Sequence, residues 1–157
     1  MIKIAVFPGS FDPFTFGHKN IVERALPLFD KIIIAIGVNA DKKTMFSIDQ
    51  RIAGIASIFI TEKKIEVFEY SELTVDFCKK HNAHYIVRGV RNSIDFEYEK
   101  AIAQMNKEIG VGIETIILCP DPEFSTISST VIRDVYRNGR DISKYVPFPI
   151  PPISKNE

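Results

Sequence analysis

The chain has 157 residues, 45% of them hydrophobic and 25% charged, which suits one globular domain (1–157) with a proper buried core. Its 20 basic and 20 acidic residues cancel to zero formal charge, so wrapping nucleic acid by bulk charge is excluded and any phosphate chemistry must be local. MIKIAVFPG is too short an apolar run for a signal peptide and IIIAIGV too short to cross a bilayer, so a cytoplasmic protein without membrane contact is expected.

In chain order, KIAVF (3–7) predicts a first strand, followed by PGSFDPFTFGH, longer than a plain strand-to-helix connection needs. HKNIVERALPLF (18–29) sets Ile21, Ala25 and Phe29 on one helical face. KIIIAIGV (31–38) predicts the second strand; after NADKKTMF, Ser47 and Gln50 form a capping box opening the helix IDQRIAGIASIFI. KIEVFEY (64–70) predicts the third strand, SELT a loop, and LTVDFCKKH a short helix. AHYIVR (83–88) predicts the fourth strand, and GVRNS leads to a long helix, DFEYEKAIAQMNKEI, with acids in its first turn and Gly110 at its end. IETIILC (113–119) predicts the fifth strand, PDPEFSTISST a loop, and SSTVIRDVYRN a last helix that stops at Gly139. The proline-rich tail from 147 lacks periodicity and is expected to fray or pack loosely.

Cys78 and Cys119 have no metal or redox spacing and are expected to be core thiols. His81 and His84 fall where a helix ends, so they are expected to meet its dipole rather than hold a metal.

Alternating strands and helices, with strands apolar enough to be covered on both faces, imply an α/β fold: a doubly wound, five-stranded parallel sheet. Such sheets bind ligands outside the carboxyl ends of the strands, where the strand order reverses. Every chemically unusual loop falls there, which would gather Ser10, His18, Lys42, Arg88, Arg91, Ser128 and Ser129 around one cleft. Gly9 and Gly17 permit close approach, and His18 and the Ser128–Thr130 run each open a helix, where the dipole favours an anion. Two such sites with Lys42 and Arg88 between them suggest a polyphosphate ligand flanked by a second phosphate. A Walker A loop, a GxGxxG fingerprint, a GxSxG elbow and a CxxC pair are all absent from the sequence.

TFGH (15–18) with ISSTVIR (127–133) resembles the nucleotidyltransferase superfamily, marked by a T/HxGH motif after the first strand and ISSTxxR late in the chain. PGSFDPFTFGH together with RGVRNSIDFEYEKAIAQMN (88–106) is similar to the bacterial phosphopantetheine adenylyltransferases, over a span from Lys3 to about Tyr145. The resemblance implies a Rossmann-like fold and transfer of AMP from ATP to 4′-phosphopantetheine, giving dephospho-coenzyme A and pyrophosphate. It implies that His18 stabilises charge at the α-phosphate, that Ser10 positions both phosphates, and that Lys42 and Arg88 hold the attacking phosphate. Phe11, Gly89, Val90, Arg91, Glu99 and the segment Phe124, Ser125, Thr126, Ile127, Ser128, Ser129 and Thr130 would take the nucleotide; Leu73, Thr74 and Asn106 would line the pantetheine arm. It further implies Mg2+ arriving with ATP, a homohexamer, and feedback by coenzyme A. No DxD or paired-carboxylate cage stands out, so no protein metal ligand is assigned. Phe124 stands where a tryptophan is often found in the family. The alternatives are a sister enzyme acting on another phosphorylated acceptor, and a non-catalytic nucleotide sensor.

Overall fold

A computed structural model describes residues 2–39, 41 and 43–150. The β-branched runs form five parallel strands: β1 (Ile4–Gly9), β2 (Lys31–Gly37), β3 (Ile65–Tyr70), β4 (Tyr85–Gly89) and β5 (Glu114–Leu118). Their order is β3-β2-β1-β4-β5, so the winding reverses between β1 and β4. Five α-helices accompany them: α1 (Phe16–Ala25), α2 (Ile48–Ile58), α3 (Thr74–Lys80), α4 (Ser93–Ile109) and α5 (Ser129–Arg137). The fold is the doubly wound α/β sheet that the alternation predicts.

Strand periodicity divides the core into two layers. Ala5, Phe7, Ile32, Ile34, Ile36 and Val87 pack with Ile21, Val22 and Ala25 of α1 and Ile55 of α2. The intervening Val6, Ile33, Ala35 and Ile86 turn to the other face and meet Val75, Phe77 and Cys78 of α3. Both faces are covered, which is why the inner strands read as unbroken apolar runs.

Local signals set the helix starts. Ser47 Oγ accepts the Gln50 N–H and Gln50 Oε1 accepts the Ser47 N–H, the reciprocal cap expected for α2. Two starts fall earlier than predicted. Thr15 caps α1, and Asn92 caps α4 by accepting the Asp95 N–H at 2.9 Å, drawing Ser93 and Ile94 into the helix.

Two expectations need correction. Cys78 is a buried thiol, pushed up to about 12 by burial, but Cys119, one residue past β5, is exposed. The described part of the tail packs specifically: Phe148 and Ile150 lie against the buried cluster of Ile132, Ile142 and Val146, just after the Tyr145 carbonyl that accepts the Phe16 N–H, while 151–157 lie outside the described residues. The Phe148 ring lies on Gly54 of α2, where an added Cβ would come within 2.7 Å of it. Gly54→Ala should therefore cost about 1–3 kcal/mol in thermal or chemical denaturation, by overpacking. That loss should shrink in a Phe148→Ala background, which removes the ring being struck. His81 ends α3 with its ring against Phe77 and Phe68, at centroid distances of 4.3 and 5.0 Å.

Candidate active site

A cleft of about 320 Å³ opens at the carboxyl edge of the sheet, at the point where the strand order reverses. β1 delivers Gly9 and Ser10 to one wall, β4 and the turn after it deliver Arg88, Gly89 and Arg91, and the start of α5 supplies the opposite wall. Of the predicted residues, Ser10, Phe11, His18, Arg88, Gly89, Arg91, Glu99, Phe124, Ile127, Ser128, Ser129 and Thr130 all line it. Lys42 lies outside the described residues.

The remaining predicted residues sit elsewhere. Val90 is buried with its N–H on the Leu118 carbonyl, Ser125 Oγ donates to the Pro122 carbonyl, and Thr126 is exposed. Leu73 and Thr74 start α3 beside a second cavity of about 220 Å³, which Ser10 also lines together with Asn39, Thr44, Tyr70 and Glu72. The Thr74 hydroxyl is 3.0 Å from the Tyr70 hydroxyl, and Asn106 lies in the last turns of α4, the helix packed beside α3. Ser10 thus stands where the two cavities meet.

His18 occupies the third position of α1 and is held from below by Thr15, the helix N-cap. Thr15 Oγ1 accepts the His18 N–H at 3.3 Å, and the Thr15 N–H donates to His18 Nδ1 at 3.0 Å. A backbone N–H can only donate, so Nδ1 carries the lone pair and the ring proton sits on Nε2. Phe7, Phe11 and Phe14 surround the ring, with centroids at 6.3, 5.1 and 5.3 Å. Burial, then the charges of Arg91 and Arg88, push the imidazole down to about 4. His18 is therefore a neutral Nε2–H donor across the physiological range. Sequence reading alone missed Thr15, although threonine three residues before a side chain able to bond back is itself a capping-box signal.

The lowered imidazole fixes a direction for stability. Between pH 6.5 and 4 the unfolded chain takes up a proton that the native site refuses, so stability falls as pH falls through that window. Denaturation of the ligand-free protein should show this loss, up to about 3 kcal/mol, and His18→Asn should remove it.

Two of the cleft's arginines, Arg88 and Arg91, are each oriented by a carboxylate. Arg88 bonds Glu99 through Nε at 2.6 Å and Nη2 at 2.5 Å, while its Nη1 reaches the Pro8 carbonyl at 2.6 Å. Glu99 is only 7% exposed, so this is a bidentate pair at the cleft wall, and the guanidinium keeps one N–H on each terminal nitrogen beyond these bonds. Arg91 binds Asp95 in the same way and bonds the Ile127 carbonyl at 3.1 Å, which holds Asp95 below the usual carboxylate range. Arg133 donates to Thr130 Oγ1 and to the Asp12 carbonyl.

The two helix starts differ. Thr15 caps α1, but the N-cap of α5, Ser128, makes no side-chain capping bond, and Ser129 Oγ turns to the Pro13 carbonyl. The first N–H groups of α5 are thus the open anion site of the pair. Asn20 and Arg24 of α1 hold the Asp121 carboxylate and thereby fix the turn that bears Phe124. Gly9 is required for a reason other than anion approach: Phe11, at φ +48°, folds its ring to within 2.7 Å of where a Cβ would stand. Among the described residues no three His, Cys, Asp or Glu side chains form a metal cage, and no helix is long and apolar enough to cross a membrane.

Comparison with known proteins agrees with this geometry. A family model described as cytidylyltransferase-like matches residues 6–135. A phosphopantetheine adenylyltransferase of Flavobacterium psychrophilum is 54% identical over 146 residues, covering 93% of this chain and 96% of that one. One of Cytophaga hutchinsonii is 48% identical over 150 residues, covering 96% and 100%. Among solved structures, a bifunctional NMN adenylyltransferase/ADP ribose pyrophosphatase from Francisella tularensis shares the fold at TM-score 0.73 and 21% identity, over 94% of this chain and 45% of that one. A putative nicotinate-nucleotide adenylyltransferase from Vibrio parahaemolyticus does so at TM-score 0.63 and 22% identity, over 93% and 94%. With its T/HxGH histidine and its ISSTxxR helix start facing each other across one cleft, the chain belongs to the phosphopantetheine adenylyltransferases, within the cytidylyltransferase-like nucleotidyltransferases.

Proposed function

We propose that the protein transfers the adenylyl group of ATP to the phosphate of 4′-phosphopantetheine, in line and without a covalent enzyme intermediate, as a step of coenzyme A biosynthesis in the cytoplasm. The observation that carries this is that Ser10 lines both cavities, the cleft that holds His18, Arg88 and the start of α5 and the smaller one before α3. The open N-terminus of α5, with Arg91 and Thr130, takes the triphosphate, and Phe124 borders the nucleoside. Arg88, aimed by Glu99, and Lys42 take the acceptor phosphate, while the cavity beside Leu73 and Thr74 receives the pantetheine arm.

The acceptor phosphate oxygen attacks the α-phosphorus as the bond to the pyrophosphate oxygen breaks. Such a transfer needs alignment and charge stabilisation rather than a protein nucleophile. His18 Nε2–H donates to an α-phosphate oxygen as charge gathers there, and its neutrality removes any competing loss of a proton from the ring.

Magnesium enters with ATP. The cleft's carboxylates are committed, Asp12 to backbone N–H groups, Asp95 to Arg91 and Glu99 to Arg88, so phosphate oxygens and water hold the ion. Coenzyme A carries both an adenylate and the pantetheine arm and acts as a feedback inhibitor in the same cleft. Self-association, of which the homohexamer is the form proposed, is supported by one face of α4, where Ile94, Tyr98, Met105 and Ile109 are exposed.

Pyrophosphate release with ATP and magnesium tests the reading. Release with 4′-phosphopantetheine, and little with nicotinamide mononucleotide or with CTP plus glycerol phosphate, is expected. Preference for either of the latter would assign a sister enzyme, and no release with any acceptor would assign a sensor.

A further inference from the structure

A carboxylate in a cleft built for phosphates repels its own ligands, yet Asp12 lines this one. Its side chain is 5% exposed and both oxygens are engaged: Oδ2 accepts the Met45 N–H at 2.8 Å and Oδ1 the Phe46 N–H at 2.9 Å. Those residues end the stretch between β2 and α2, the one that carries Lys42 in the sequence. Among the described residues of 39–46, these are the hydrogen bonds that tie the stretch to another segment; the remaining one, from the Asp41 N–H to Asn39 Oδ1, is internal. A connection whose described residues form neither helix nor strand has a set position only where something outside fixes it.

The same residue faces the nucleotide side. Its carbonyl accepts Arg133 Nη1 from α5 at 2.7 Å, and the neighbouring Ser10 carbonyl accepts Arg51 Nη1 from α2 at 2.7 Å. The Phe46 ring lies on Tyr136 of α5 at 5.5 Å, so the clamped end of the stretch meets α5 twice, once by a ring and once through Asp12. Sequence separations of 33 to 121 residues are bridged at this single position.

We propose that Asp12 is the positioning residue of the acceptor side: its buried carboxylate pins Met45 and Phe46 to the first loop and so fixes the end of the connection that carries Lys42 in the sequence. Asp12 touches neither reacting phosphate; it acts through the chain it holds. The inference rests on the acceptor reading given above. Its two bonds are charge-assisted, and removing them in steps should give graded effects, because Asp12→Asn keeps one acceptor oxygen and Asp12→Ala keeps none.

Backbone hydrogen exchange and steady-state kinetics on the full chain test it together. In the wild type the Met45 and Phe46 amides should be protected. In Asp12→Asn they should exchange at least about tenfold faster, and kcat/KM for 4′-phosphopantetheine should fall about 10–100-fold while the ATP dissociation constant stays within about threefold. Asp12→Ala should go further in both. Unprotected wild-type amides overturn the proposal even if the variants fail to fold. An unchanged phosphopantetheine kcat/KM with deprotected amides, or an equal loss of ATP affinity, overturns it as well. A wild type that ignores phosphopantetheine defeats the acceptor reading instead, and the exchange rates still decide whether Asp12 holds the stretch.

Discussion

Replacing His18 by alanine should lower kcat by about 10²–10³ and leave the ATP dissociation constant nearly unchanged, because its donor is aimed at charge that develops only as the α-phosphorus reacts. The thermodynamic reason lies in the ring's surroundings. Three phenylalanines and two arginines keep the imidazole neutral, and the Thr15 N–H on Nδ1 leaves Nε2 as the donor, so no reorganisation is needed at the moment of transfer. A cationic donor would lose activity as pH rises through 6.5. With the imidazole of the ligand-free protein held down to about 4, kcat/KM should stay level from about pH 6 to pH 8 as far as this residue is concerned. Equal losses of turnover and ATP affinity in His18→Ala, or a histidine-like fall of kcat/KM near pH 6.5, would contradict this role.

Arg88→Ala should produce two separable losses. The first is stability: Glu99 is left as a buried, unpaired carboxylate, a situation that costs about 3–5 kcal/mol. The second is acceptor use, with kcat/KM for 4′-phosphopantetheine falling about 10–150-fold for loss of a charge-assisted contact. Removing both partners in Arg88→Met/Glu99→Met should recover most of the stability and none of the acceptor use, since an apolar pair can replace a buried ion pair in packing but not in binding phosphate. Urea denaturation and acceptor kinetics on the same two proteins separate the effects. Recovery of acceptor use in the double variant would remove Arg88 from the site.

Much of this arrangement was legible along the chain. The runs KIAVF, KIIIAIGV and KIEVFEY are dense in β-branched residues and predict the strands, and Ser47 with Gln50 predicts the start of α2; both are local patterns, and the structure keeps them. The position of the cleft followed from topology, because a doubly wound sheet leaves one edge for ligands. The bonds that organise the site were not legible, since they join distant segments: Arg88 to the Pro8 carbonyl, Arg51 to the Ser10 carbonyl, Arg133 to the Asp12 carbonyl. Asp12 and Arg51 are invisible to any periodicity for the same reason. Glu99 illustrates the difference most clearly: its place at the cleft is legible in the motif, whereas the bonding of both its oxygens to Arg88 is seen only in three dimensions. The tail misled because proline hides its partners; the ring of Phe148 finds Gly54, and only the three-dimensional packing reveals that pairing.

The central claim is that the cleft aligns two phosphates for direct transfer and does no covalent work of its own. The stereochemical course at phosphorus tests it most directly: ATP bearing a single sulfur of defined configuration on its α-phosphorus is given with 4′-phosphopantetheine, and the configuration of the thio-substituted dephospho-coenzyme A is read. One in-line displacement predicts inversion. Retention would mean two displacements through an enzyme-bound adenylyl group and would contradict the account.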